Sequence, residues 1–350
     1  MGRDALDLLR NGAFLPAVPL VLDEHRAFDE AGQRRLLRYY IAAGADGAAV
    51  AVHTTQFEIR DPKHDLLERV LHVSADELHR ASARHGRAVI KVAGACGDTE
   101  QAIREARLAY ALGYDAVLLS PGGLARLNDE YLLERTRRVA SILPVIGFYL
   151  QTAVGGRYLP YTYWRELCAI PGVAAIKCAA FNRYATLDVM RAVADTGNRV
   201  ALYTGNDDSI VADLLTPHCF VGEDGAQREA RFTGGLLGHW AVWTSTAVRM
   251  FREARRMAAE TAIPSEMLTL GYAVTDANAA FFDVAHQFRG CIAGIHEVLR
   301  RQGLMRGTWC LNPKETLSPG QAEEIDRVHR MYPALNDDAF VRDFLAHDDG

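Results

Sequence analysis

Lys177 sits in Gly172-Val173-Ala174-Ala175-Ile176-Lys177-Cys178-Ala179-Ala180, a run that is apolar apart from the lysine. Only four of the chain's 39 basic residues are lysines: Lys63, Lys91, Lys177 and Lys314. An ammonium in an apolar strand is costly unless it is paired or deprotonated. Burial lowers a lysine's pKa, and a neutral amine is a nucleophile that can form a Schiff base with a carbonyl. The run also fits a strand-end lysine whose stem packs while its head reaches water. The strand by itself leaves both readings open.

A nucleophile needs elements to hold it. Short apolar runs recur at Phe14–Leu22, Gly47–Val52, Ala88–Ala93, Ala116–Ser120, Val145–Tyr149, Ala174–Cys178, Arg199–Tyr203 and Cys219–Gly222. Amphipathic segments such as Glu30–Ala43, Asp98–Leu112, Asp129–Ile142 and Leu187–Asp195 separate them. Eight strands alternating with helices predict a parallel sheet with right-handed crossovers, and the count is that of an α/β protein with a (β/α)8 TIM barrel. No Gly-x-Gly-x-x-Gly follows the first strand, which disfavours a dinucleotide-binding open sheet. We expect residues 1–225 to form the barrel core. Residues 226–350 would hold the last barrel helix, additional C-terminal helices over about Ala226–Ala259 and Pro264–Gln302, and a Pro/Gly-punctuated tail.

Chemistry in such barrels collects at the C-terminal strand ends. Those ends read His53-Thr54-Thr55-Gln56, Tyr149-Leu150-Gln151, Lys177, Thr204-Gly205-Asn206-Asp207-Asp208 and Gly222-Glu223-Asp224. Any one of these is ordinary, and their joint placement is not. Lys91 is a second lysine in an apolar strand, a neighbouring cation or a rival nucleophile; strand alternation does not say which face it takes.

Together, Gly44–Gly47 before the second strand, Thr54-Thr55, Tyr149, Ile176-Lys177 and Gly205-Asn206-Asp207-Asp208 resemble the dihydrodipicolinate synthase/N-acetylneuraminate lyase family of class I aldolases. The interval of 28 residues from Tyr149 to Lys177 matches that family's spacing of tyrosine and lysine. The resemblance implies that Lys177 forms an imine with a 2-oxo acid and Tyr149 moves protons, with Thr55 relaying them. It also implies a substrate contact from Thr54, with Gly205, Asn206 and Gly222 lining the site, while His53 and Gln56, which replace the family's glycines, are candidates to face the substrate in their stead. The implied activity is a lyase making or breaking a carbon–carbon bond next to pyruvate or a related oxo acid. Dehydration of a 2-keto-3-deoxy sugar acid by the same imine, or a non-catalytic barrel that binds a small acid, are the alternatives.

The pattern departs from the family at three places. Gly-Thr-Thr-Gly-Glu reads His53-Thr54-Thr55-Gln56-Phe57-Glu58 here. The carboxylate-binding arginine five residues after the tyrosine is Val154, which leaves Arg157 as the nearest guanidinium able to serve. The loop after strand 4 reads Pro121-Gly122-Gly123, without the tyrosine that completes a relay between subunits.

A net charge of −5 with interspersed signs gives no case for nucleic acid or an anionic membrane. No apolar run approaches the roughly 20 residues needed to span a bilayer, and the N-terminal segment lacks a secretory pattern. Six dispersed cysteines without a CxxC pair point to reduced thiols, a cytoplasmic location and no metal site. The imine chemistry calls for no cofactor beyond the lysine. The expected partners are a small 2-oxo acid and further copies of the chain in a dimer or tetramer.

Overall fold

The computed structural model describes residues 3–348. Ten strands form: β1 Phe14–Pro16, β2 Gly47–Val50, β3 Ile90–Ala95, β4 Ala116–Leu119, β5 Val145–Leu150, β6 Val173–Ala179, β7 Ala201–Thr204, β8 His218–Val221, β9 Gln227–Ala230 and β10 Phe232–Leu237. Eight of them pair in parallel in the order β1-β10-β7-β6-β5-β4-β3-β2. A bridge between Ala17 and Ala49, with the Val18 N–H donating to the Ala49 carbonyl at 2.9 Å, joins the two ends of that order. The fold is a (β/α)8 barrel with additional C-terminal helices. Asp29, Asp98, Asn128 and Asn182 start four of the outer helices by accepting a backbone N–H three residues on.

The eighth barrel strand is β10, a correction to the expected Cys219–Gly222. That segment instead forms an antiparallel hairpin, β8 with β9, outside the barrel. Its residues alternate between half-buried and exposed, as a strand covered on one side should. The barrel therefore runs to Leu237, past the expected boundary at 225, and the first twelve residues of the expected helix from Ala226 are strand and coil. The Gly234-Gly235 pair disguised β10 as a turn. A Cβ at Gly235 would lie 2.3 Å from the Trp240 ring, and one at Gly234 would lie 2.6 Å from the Ala13 backbone. The glycines are there for close approach.

Leu15, Ala49, Ile90, Val92, Ala116, Leu118, Ile146, Ala175, Tyr203 and Leu236 fill the lumen. The N-terminal helix Arg3–Asn11 closes its lower end, where the Tyr203 hydroxyl donates to the Leu9 carbonyl at 2.6 Å and accepts from the Ala13 N–H at 3.0 Å. Lys91 pairs with Ala48 low on β3, while its strand neighbours Ile90 and Val92 occupy the lumen. By alternation its side chain takes the outer face, so it is not a neighbour of Lys177.

A buried ion pair fixes the segment after β2. The Arg60 guanidinium bonds Glu105 at 2.9 and 3.1 Å and donates to the carbonyls of Ala51 and Gly94 at 3.0 Å each. Both side chains are under one-tenth exposed. Removing one member of such a pair leaves the other charge buried and uncompensated, at about 3–5 kcal/mol. Glu105→Ala is expected to lower the unfolding free energy by that amount, measured as a lower denaturant midpoint at unchanged slope.

Candidate active site

At the C-terminal end of the barrel lies a cavity of about 750 Å³, open solvent at its mouth included. Lys177 reaches into it from β6, with its Nζ 4.6 Å from the centroid of the Phe148 ring. The register explains that neighbour. β5 and β6 start with Val145 opposite Val173, but an irregularity follows, and Ile146 pairs with Ala175. From there Phe148 is level with Lys177 and Tyr149 with Cys178. A one-residue slip exchanges the faces of a strand.

Tyr149 consequently stands on the outer face of the barrel. It is buried against Trp164, with ring centroids 4.9 Å apart, and its hydroxyl accepts the Leu159 N–H at 3.3 Å. Burial raises its pKa. It does not line the cavity that holds Lys177.

Of the other expected site residues, His53, Thr54 and Gly205 line the cavity. A Cβ on Gly205 would sit 2.7 Å from Cε of Lys177, so the absence of a side chain there gives the lysine its path. The Thr54 hydroxyl donates to the Val18 carbonyl at 3.3 Å. His53 presents its ring to the cavity, where desolvation and then the charge of Lys177 lower its pKa, partly offset by Glu58.

The remaining expected residues are structural in this arrangement. Thr55 is fully buried, and its hydroxyl donates to the Val18 carbonyl at 2.7 Å while accepting the Val52 N–H at 3.3 Å. Gln56 accepts the Leu311 N–H at 2.6 Å and so ties the mouth to the C-terminal tail. Arg157 is paired with Asp129, away from the cavity, whereas Val154 does line it. Asn206 accepts the Phe181 N–H at 3.0 Å and donates to Asp213 at 2.9 Å. That bond holds Phe181 at a φ of +49°, where its ring enters the cavity. Gly222 lies in the exterior hairpin, where a Cβ would collide with Arg228, and Asp224 nearby pairs with the same arginine. Neither these two nor the exposed Glu223 reaches the barrel mouth, because the hairpin that carries them is not a barrel strand.

The sequence reading gave no role to most of the lining, although it placed Leu150, Gln151 and Asp207 at strand ends. Leu118, Phe148, Leu150, Gln151 and Asp207 come from strand ends, and Phe282, Phe288, Cys291 and Ile295 from the C-terminal helical region. Asp207 carried a signal, being a carboxylate two residues past a strand-end glycine. The C-terminal residues carried none, since apolar positions in a turn or a helix do not announce what they cover.

Asp207 and Lys177 are the charged pair of this lumen. Desolvation is the largest influence on both, lowering the lysine's pKa and raising that of the aspartate, while each opposes the other's shift through its charge. Asp207 Oδ1 is buried without a hydrogen-bond partner. Its backbone is fixed: Asn278 Nδ2 donates to the Asp207 carbonyl at 2.7 Å, and Thr275 Oγ to that of Asp208 at 2.9 Å, both from the helix Ser265–Phe281. Farther out, burial and the neighbouring Glu58 carboxylate push Glu315 up to about 7. Among the described residues no group of three or more His, Cys, Asp or Glu could hold a metal, and no helix is long and apolar enough to cross a membrane.

With this geometry in view, the comparisons fall into place. The sequence model of the Dihydrodipicolinate synthetase family matches residues 11–226. The chain belongs to that family. It is 26% identical over 204 residues to N-acetylneuraminate lyase of Citrobacter koseri, a match covering 57% of this chain and 64% of that enzyme. The Escherichia coli O9:H4 N-acetylneuraminate lyase is 26% identical over 196 residues, covering 55% and 62%. The chain thus spans somewhat under two-thirds of the length of these relatives. Among solved structures, N-acetylneuraminate lyase from Fusobacterium nucleatum superposes with a TM-score of 0.71 at 16% identity, covering 92% of this chain and 99% of that one. Dihydrodipicolinate synthase from Acinetobacter baumannii, complexed with pyruvate, gives 0.72 at 16% identity, covering 91% and 98%. At these identities the structures speak for the fold.

Two outcomes follow from the site. Pulse acetylation read by peptide mass across a pH series is expected to give Lys177 a labelling midpoint below the ordinary lysine value of about 10.4; a midpoint at or above that value contradicts its desolvation. Gly205→Ala, which presses a methyl on Lys177 Cε, is expected to slow modification of Lys177 roughly tenfold or more, a barrier of about 1.4 kcal/mol. Far-ultraviolet circular dichroism should be unchanged.

Proposed function

We propose that this protein is a Schiff-base lyase that cleaves or forms a carbon–carbon bond next to the carbonyl of a 2-oxo acid. The observation that carries the reading is Lys177, a desolvated amine at a barrel strand end, in a chain of the dihydrodipicolinate synthetase family. An imine on this lysine makes C2 an electron sink, which weakens the adjacent C–H or C–C bond. The lysine is itself the covalent catalyst, and the reading calls on no further cofactor. The pyruvate held by the Acinetobacter relative supports an oxo acid as the carbonyl partner here.

The walls limit what else can enter. Phe148, Phe181, Phe282 and Phe288, with Leu118, Leu150, Val154 and Ile295, surround the amine. Among the described residues no arginine lines the cavity. The polar lining beside Lys177 and Asp207 is His53, Thr54, Gln151 and Cys291. His53 and Gln151 are the side chains we assign to the substrate carboxylate, the Thr54 hydroxyl being committed to the Val18 carbonyl. An apolar wall leaves hydroxyl groups unpaired, at about 1–3 kcal/mol each. It therefore favours a substrate with an apolar substituent over a polyhydroxylated sugar acid, and aldol-type chemistry over dehydration of such an acid.

The test is borohydride reduction in the presence of pyruvate and a panel of 2-oxo acids bearing apolar or hydroxylated tails. A reduced adduct on the Lys177 peptide, lost in Lys177→Ala, is the expected outcome. No adduct with any of them, in protein that melts cooperatively, removes the basis of the reading. Pyruvate and an aldehyde as products mark cleavage; a dioxo acid without carbon loss marks dehydration.

A further inference from the structure

Imine chemistry needs an acid–base group inside the cavity, and Tyr149 stands outside it. The position level with Lys177 on β5 is Phe148, which carries no exchangeable proton. Resting on the Schiff-base reading, we propose that Asp207 is the proton-transfer residue of this site, doing the work that the tyrosine spacing alone would have assigned to Tyr149.

Three observations support it. Asp207 lines the same cavity as Lys177, and its Oδ1 is buried with no hydrogen-bond partner, so the oxygen is uncommitted. The loop that carries it is anchored on both sides, by Asn206 to Asp213 and by Asn278 to the Asp207 carbonyl, so the carboxyl is held in place. The competing groups are less suited. The Thr54 hydroxyl is turned to the Val18 carbonyl, and burial pushes the Cys291 thiol well up. The titratable groups facing this region are Lys177 from β6, His53 after β2, Asp208 on its own loop and Cys291 from the helix Cys291–Arg301. Burial lowers the pKa of Lys177 and raises that of Asp207, which narrows the gap between them and lets the two groups exchange a proton.

The steps balance around one proton. The Lys177 amine adds to C2 of the oxo acid, and its proton passes to the former carbonyl oxygen. Asp207 protonates the resulting hydroxyl, the C–O bond breaks, water leaves, and an iminium faces a carboxylate. For cleavage, that carboxylate takes the proton from the hydroxyl on C4. The C3–C4 bond then breaks, its electrons move into the iminium to give an enamine, and an aldehyde departs. Asp207 returns the proton to C3, and water hydrolyses the imine to free the lysine. With pyruvate alone, the carboxylate removes and returns a C3 proton.

Pyruvate in deuterium oxide tests the last step without the natural substrate. Loss of the methyl proton signal measures C3 exchange, and borohydride trapping measures imine formation. Wild type is expected to do both. Asp207→Asn should still be trapped on Lys177 while exchange falls by roughly 10²–10⁴-fold, the usual contribution of a positioned acid–base group. Tyr149→Phe should exchange within a few-fold of wild type. Exchange unchanged in Asp207→Asn overturns the proposal, as does exchange lost in Tyr149→Phe or in His53→Gln but kept in Asp207→Asn. If Asp207→Asn also loses trapping, Asp207→Glu decides: recovered exchange supports the role, and none defeats it. Absence of any wild-type adduct defeats the imine reading and this proposal with it, whereas an adduct with unaltered exchange in Asp207→Asn defeats this proposal alone.

Discussion

An amine held in a lumen of alanine, leucine and phenylalanine carbon, with one carboxylate for company, sets the terms for everything around it. Water would solvate Lys177 as an ammonium. The barrel offers instead a ring face and the charge of Asp207, and desolvation outweighs that charge. Gly205 gives the side chain its path, and small residues such as Ala175 and Ala179 on its own strand keep the lumen wide enough to hold it.

The rest of the fold keeps that environment shut. The helix Ser265–Phe281 fixes the loop of Asp207, and the region after it supplies Phe282, Phe288, Cys291 and Ile295 to the wall. Gln56, at a φ of +65°, reaches the tail through Leu311, while Arg60 and Glu105 hold the segment between. The C-terminal helices are therefore part of the site, although the family match ends at residue 226.

Several features were legible in the chain because their cause is local. The alternation of apolar runs and helical patterns reports a barrel, since each strand and helix must bury its own face. Lys177 is conspicuous because one charge in an apolar run needs an explanation. The hairpin at His218–Val221 passed for a barrel strand because both kinds of strand need the same residues. The true eighth strand hid behind Gly234 and Gly235, whose reason is the ring of Trp240 and the backbone of Ala13.

The sequence by itself determined the barrel and the strand that carries the lysine. These follow from composition and period along single elements. Which groups meet that amine was decided only in three dimensions. One irregularity between β5 and β6 shifts the pairing by a residue, brings Phe148 level with Lys177 and sends Tyr149 to the outside. An interval of 28 residues counts positions along the chain, while the face a side chain takes depends on how two strands pair. The carboxylate that meets the lysine, and the rings that close over it, come from loops and turns, some of them far along the chain.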